Sequence, residues 1–427
     1  MNNASLAMSA DAKPATPAWR VIAAATIGNA LEWFDLVVYG FFAVTISRLF
    51  FPAGDSTVSL LLTLGTFGVS FFMRPLGAIV LGVYADKAGR KAALTLSITL
   101  MMAGTLIIGL MPTYASIGVL APIGLVLARM IQGFSAGGEY GSATAYLAEQ
   151  APSRRGFYAS WQSSSQGMTT LLASVFGAVL TSSLSDAQMQ SWGWRIPFLF
   201  GLTIGPVAYY IRTHMDETPE FVAAETTQSP LADTFSSQKE RLLLAIGVVV
   251  LATVSAYLIL FMPTYAVKQL GVSASTVFTA IIATGVIQTV GAPIVGHLSD
   301  KHGRTGMMLG AAVVFLLLSW PAFYVLDLHA TFGTMMAMQI GIGLVSVAYY
   351  GGMPALLSEL FPTQTRTTGM SIAYNLAVTI FGGFAPFIIT WLIQVTGSKL
   401  APSFYLMGAA VISMMALLRI RALKLRL

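Results

Sequence analysis

Apolar runs of about 20 residues follow one another along almost the whole chain, and each is long enough to cross the hydrocarbon core of a bilayer. Hydrophobic residues make up 56% and charged residues only 9%, too little charge for a soluble protein of this length. Backbone groups in lipid must find partners within their own segment, so the runs predict helices rather than strands. The first run is too long for the apolar part of a signal peptide and reads as a retained span. The chain has no cysteine, which removes disulfides, thiolate metal sites and cysteine nucleophiles.

A second feature divides the chain in two. Between the second and third runs lies a charged, glycine-bounded turn, Gly82–Lys91, containing Asp86, Lys87, Gly89 and Arg90. The same residue types return in the same order in Gly296–Arg304, with Asp300, Lys301, Gly303 and Arg304. The offset from Asp86 to Asp300 is 214 residues in a chain of 427. Glu149 and Pro152 recur as Glu359 and Pro362, both at an offset of 210. The chain therefore reads as two copies of one unit. The fold class predicted is an all-α membrane protein with twelve transmembrane helices in two pseudo-symmetric six-helix bundles. The expected organisation is a disordered N-terminus over 1–18, a first bundle over 19–211, a polar linker over 212–241, a second bundle over 242–420 and a basic tail over 421–427. Parallel six-span halves of this kind point to a transporter whose substrate path runs between them.

The distribution of cations tests this topology. Of 23 Lys and Arg residues, 17 fall in loops and ends on one side and 4 on the other, while Arg74 and Arg129 lie inside spans. The positive-inside rule makes the richer side, with both termini, cytoplasmic. The formal net charge of +6 is then explained by topology, and no nucleic acid is needed. The partner expected from these features is the lipid bilayer, with the chain a monomer.

Ionisable residues within spans are costly and mark function by default. Among the acids these are Glu32, Asp35 and Glu139; among the bases, Arg74 and Arg129. All five lie in the first half. Asn29, Glu32, Asp35 and Tyr39 share about a third of the circumference of span 1, and Arg129, Gln132 and Glu139 a similar face of span 4. Two such stripes should face each other or a wet cavity. Glu32, Asp35 and Glu139 are the candidate proton-coupling residues. Arg129 and Arg74 are the candidate anchors for an anion, with Asn29, Tyr39, Gln132, Gln162, Gln166, Tyr349, Tyr350 and Asn375 as neutral substrate-binding groups. Protonating Asp35 would release Arg129 to bind substrate. The bland reading of the same pair is a fixed buried ion pair that locks helix packing. Arg74 either touches substrate or caps locally. Gly133, Gly137, Gly138 and Gly141 are explained by close helix contact alone. Trp33, Phe34, Phe41 and Phe42 read as lipid-facing or packing residues. His297 and His302 have no third ligand at helical spacing, so no metal site is expected.

The paired turns resemble the signature of the major facilitator superfamily. Gly28, Asn29, Glu32, Trp33, Phe34 and Asp35, then Arg74-Pro75-Leu76-Gly77, Gly193–Phe198 and Glu217–Phe221, are similar to its metabolite:proton symporter branch. Arg129–Gly137, Phe157–Ser163 and Ile380–Gly383 look closest to the citrate and tricarballylate carriers. The resemblance implies alternating access and proton-driven uptake of a small anionic organic acid, a di- or tricarboxylate, across a bacterial inner membrane. It also implies that Asp35 and Arg129 stand where sugar carriers keep their coupling aspartate and its arginine. Thr305 departs from the repeat, standing where Lys91 stands in the first turn, which puts equal gating strength of the two turns in doubt. No cofactor is expected beyond the coupling proton, with sodium left open. The alternative function is a proton-coupled exporter of drugs or metabolites. An intramembrane enzyme or channel would need a metal cluster, a nucleophile with its base, or a filter motif, and the sequence offers none. The turns themselves read as cytoplasmic gates, built from Asp86, Arg90, Glu149 and Arg155 in one half and Asp300, Arg304, Glu359 and Arg366 in the other.

Overall fold

A computed structural model describes residues 18–88, 90–137, 139–149, 152–213, 234–235, 237–362 and 365–423, without the side chains of 82–94 and a few others. The predicted linker thus lies largely outside the described residues, as do the terminal segments 1–17 and 424–427. The side chains of Asp86 and Arg90 lie outside them too.

The first half holds α1 (Ala18–Phe41), α2 (Ala43–Phe50), α3 (Ser56–Ala88), α4 (Arg90–Leu110), the short α5 (Tyr114–Ile117), α6 (Leu120–Ala136), α7 (Glu139–Glu149), α8 (Arg155–Ser183), the short α9 (Asp186–Gln188) and α10 (Arg195–Thr213). The second holds α11 (Lys239–Leu270), α12 (Ala274–His302), α13 (Arg304–Leu328), α14 (Phe332–Tyr350), α15 (Met353–Leu360), α16 (Arg366–Ala377), α17 (Ala385–Thr396) and α18 (Ala401–Ala422). Four passes are composite: α1 with α2, α6 with α7, α14 with α15, and α16 with α17. The first of these bends by 69° beyond Phe41. A wide π-type turn, Val378–Gly383, joins α16 to α17. Grouped in this way, the described helices make twelve passes in two six-helix bundles, the fold the repeat predicts.

Hydropathy alone undercounts them. Among the described residues, eight helical stretches are long and apolar enough to span a membrane, nine with the bent pair. Helix α8 falls short because it is rich in Ser, Thr and Gln. Those residues are hidden from lipid: Ser160, Gln162, Ser163, Ser164, Thr169 and Ser174 are all buried. The reason is the seam between the halves. Helix α8 packs along α12, and a Cβ on Gly167 would strike Gln288 and Thr289, one on Gly285 Leu171, and one on Gly296 Ser160. Ser164 Oγ donates across the seam to the Thr289 carbonyl at 2.6 Å. Small residues let the two backbones meet, as they do generally between membrane helices. Gly77, Gly133 and Gly137 do the same for α3 and α6, so Gly133 and Gly137 are packing residues as expected, while Gly138 lies outside the described residues.

The halves are closed against each other at both ends of the seam, by different means. At one end Phe41 and Phe42 lie against Phe278, with ring centroids 5.4 and 5.8 Å apart, and Gly40 abuts Leu260. This seal is apolar. At the other end it is ionic. Asp300 accepts the backbone N–H of Gly156 at 2.7 Å and of Phe157 at 3.1 Å, where the first free amides of α8 favour an anion. Arg304 bonds both Asp300, at 2.9 Å, and Glu359. Arg155 reaches Glu359 at 3.6 Å and Arg366 reaches Glu149 at 3.0 Å. The sequence places Arg366 beside Asp300 and Arg304 of its own half; in the fold it crosses instead to the first half. The crossing is what makes these pairs a latch, since a pair within one bundle would hold nothing shut.

A charge swap tests the latch. Arg366→Glu and Glu149→Arg should each lower thermal stability in detergent. The double variant should recover part of the loss, with a coupling of about 1 kcal/mol or more. Strict additivity would show the pair to be idle.

Candidate functional site

The polar stripe of α1 fans out to four neighbouring helices. Asn29 Nδ2 donates to Ser165 Oγ of α8 at 2.7 Å. Glu32 pairs with Arg74 of α3 at 2.6 Å, with side chains 6% and 3% exposed. Asp35 faces α4 and α6: Thr105 Oγ1 and Gln132 Nε2 both donate to its Oδ2. Arg129 Nη1 donates to Gln132 Oε1 at 2.8 Å. The expected neighbours Asp35 and Arg129 are thus joined through Gln132, whose amide presents a donor to the acid and an acceptor to the base. One helical turn beyond Asp35, the Tyr39 ring lies 4.5 Å from the Arg129 guanidinium, and Phe67 lies 5.4 Å from it. Arg74 similarly covers Phe71 at 4.7 Å. Tyr257 of α11 closes the group from the second half, packed on Trp33, Phe67 and Phe71.

Two acids and two bases are therefore buried together in the first bundle, each acid with its own base. Opposite charges in balance are the condition for burying either. The satisfaction is incomplete. Asp35 Oδ1, Arg129 Nε and Arg74 Nε are buried without hydrogen-bond partners. Arg74, read from sequence as a substrate contact or a local cap, is held in the interior by Glu32. Glu139 is buried at the start of α7.

A small cavity lies between the halves, in two adjoining lobes of about 20 Å3 each. Trp33, Ser163, Gln166, Ala256 and Tyr350 line both lobes. Gln288 lines the first, toward the apolar seal, and Tyr140 and Tyr374 the second. No charged side chain is among the described residues lining either lobe. Of the neutral substrate groups expected from sequence, Gln166 and Tyr350 reach the cavity wall. The others do not. Tyr349 Oη donates to the Val248 carbonyl, Tyr39 Oη to that of Thr63 and Asn375 Nδ2 to that of Gly137. Gln162 is buried, with neither side-chain amide atom bonded. Trp33 is a correction in the other direction. Trp33, Phe34, Phe41 and Phe42 are all buried, none faces lipid, and Trp33 is a wall of the cavity. Thr105, Tyr257, Tyr140 and Ser163 were not singled out from sequence, because a neutral residue in an apolar span carries no cost that would flag it.

Two repeated helical bundles around a central chamber, closed at both faces, define a membrane transporter. Residues 21–238 match the Sugar (and other) transporter family and residues 244–425 the Major Facilitator Superfamily. The chain is 38% identical over 395 residues to a citrate-proton symporter of Klebsiella pneumoniae, covering 92% of this chain and 89% of that one. It is 34% identical over 410 residues to a proline/betaine transporter of Escherichia coli K12, covering 92% and 82%. In structure it is similar to the xylose transporter XylE from E. coli in a partially occluded inward open conformation. The TM-score there is 0.72 at 17% identity, over 95% of this chain and 98% of that one. The chain belongs to the major facilitator superfamily, in its metabolite:proton symporter family.

The Gln132 bridge can be tested by a double-variant cycle. Gln132→Leu should destabilise by about 1–3 kcal/mol, because it strips a donor from a buried carboxylate. Asp35→Asn in the same chain should return part of that loss. Equal losses from Gln132→Leu with and without Asp35→Asn would sever the proposed dependence.

Proposed function

We propose that the chain is a proton-coupled symporter for a small carboxylate-bearing solute, a di- or tricarboxylate such as citrate or tricarballylate. The observation that carries this reading is the buried Asp35–Gln132–Arg129 chain beside the Glu32–Arg74 pair. Protonation of Asp35 removes the negative charge that balances Arg129. Arg129 does not line the closed cavity, so an anion that passes beyond the cavity wall to reach it then becomes the favourable replacement, and proton and substrate bind together. When the proton leaves, Asp35 takes the arginine back and the anion is released. Glu32 and Arg74 offer a second acid and base on the same logic. Solutes named for the relatives, citrate, proline and betaine, all carry a carboxylate, which is the group an arginine recognises.

The uncharged, aromatic lining favours a second reading. Trp33, Tyr140, Tyr350 and Tyr374 would suit the cationic end of a zwitterion such as a betaine. A wide apolar pocket for drugs is less compatible with a lining that carries the amides of Gln166 and Gln288. We place the ionic latch and both termini on the cytoplasmic side of a bacterial inner membrane, on the cation count. We take the chain as a monomer that uses no cofactor beyond the coupling proton.

Uptake of labelled citrate into proteoliposomes under an imposed proton gradient decides between these readings. Accumulation that betaine does not compete supports the polycarboxylate, and betaine accumulation without citrate uptake replaces it. In the transporting chain, Asp35→Asn should lose accumulation and keep exchange. Arg129→Ala should weaken substrate binding at least about 30-fold; unaltered affinity would remove Arg129 from the site.

A further inference from the structure

The floor of the cavity is made by one residue from each half. Tyr140 of α7 and Tyr374 of α16 stack face to face, with ring centroids 3.5 Å apart and planes within 2°. Both are buried, and both line the second lobe. Beside them Asn375 Nδ2 donates to the carbonyl of Gly137, at the end of α6, at 2.8 Å. Next along α7, a Cβ on Gly141 would strike Ser371 and the Thr367 carbonyl, so the two helices touch there. Farther on, Glu149 meets Arg366 at 3.0 Å. Positions rise along α7 as they fall along α16. The two helices therefore zip antiparallel from the cavity floor to the ionic latch.

We propose that Tyr140 and Tyr374, pinned by Asn375 on Gly137, are an inner gate, distinct from the latch and lying between it and the cavity. Two physical features make this contact a gate rather than a fixed joint. A parallel face-to-face stack opposes the ring quadrupoles and is the less favoured arrangement of two aromatic side chains. It is kept by enclosure and parts readily. Closure also leaves Asn375 Oδ1 buried without a partner, a cost that water removes when the helices separate. The gate is also placed to sense the charge site. Gly137 terminates the helix that carries Arg129 and Gln132, so a shift of α6 loosens the Asn375 bond and the stack together. Tyr140, Tyr374 and Asn375 act here as positioning residues for transport. The inference rests on the transporter reading but not on the identity of the solute.

The chain has no cysteine, so a single introduced thiol reports access cleanly. Ala252→Cys places it in the second lobe, on the cavity side of the stack. The chain also carries Arg366→Ala to weaken the latch, and a membrane-impermeant maleimide is applied to each face of sealed vesicles in turn. With the stack intact, labelling should be slow from both faces. Adding Tyr374→Ala should speed it about tenfold from the latch face alone, whereas Tyr374→Phe, which keeps the ring, should leave it slow. Tyr140→Ala reads the same gate from the other half if the Tyr374 variant does not fold. Fast labelling already with Arg366→Ala alone overturns the proposal. So does a rise equal from both faces, or identical behaviour of the Ala and Phe variants. Labelling needs no substrate, so failure of citrate uptake would sink the assigned solute and leave this test standing.

Discussion

Burying charge inside a span is tolerable only when the opposite charge is buried with it, and much of this protein follows from that constraint. Glu32 and Asp35 cannot face lipid, so α1 must turn toward α3, α4 and α6, where Arg74 and Arg129 sit. Those helices must come close enough for side chains to meet. Gly77, Gly133 and Gly137 allow the approach by leaving no side chain between α3 and α6. The first bundle is thus assembled around two neutralised pairs. The second half contributes aromatic walls and hydroxyl groups instead, with Tyr257 against the charges and Tyr350 against the cavity. One half holds the charge chemistry and the other supplies the surface against which it works.

The two ends of the seam are closed by forces of different kinds. Phe41, Phe42 and Phe278 hold one end by apolar burial, which has little directionality. The other end is held by Asp300 on the α8 amides and by ion pairs that cross between halves. Ionic contacts depend steeply on distance and geometry, so a small rotation of the halves undoes them together. A closed chamber with unlike locks at its two faces is suited to opening one face at a time.

How much of this was legible in the chain varies with the cost each residue carries. Glu32, Asp35, Arg74 and Arg129 stood out because charge in lipid is expensive wherever it falls. Asp300, Arg304 and Glu359 stood out because the repeat wrote the motif twice. The partners were another matter. Gln132 appeared on the right face, but its place between acid and base depends on how α6 is rotated against α1. Arg74 could not be assigned to Glu32 for the same reason. Thr105, Tyr257 and Tyr140 gave no signal, since neutral residues sit in apolar helices at little cost. Trp33 reads from sequence as lipid-facing or packing, and only the second half standing across from it makes it a wall of the cavity.

The sequence by itself determined the solvent, the helix count, the twofold repeat and the inventory of buried charge. These follow from local hydrophobicity, from spacing and from the price of an ion in hydrocarbon. Only the tertiary structure decided which acid meets which base, that Arg366 crosses to Glu149, and which neutral groups reach the cavity. These depend on the rotation and depth of one helix against another, set by packing between residues far apart in the chain. A periodic apolar sequence specifies the faces of its helices but not what stands opposite each face.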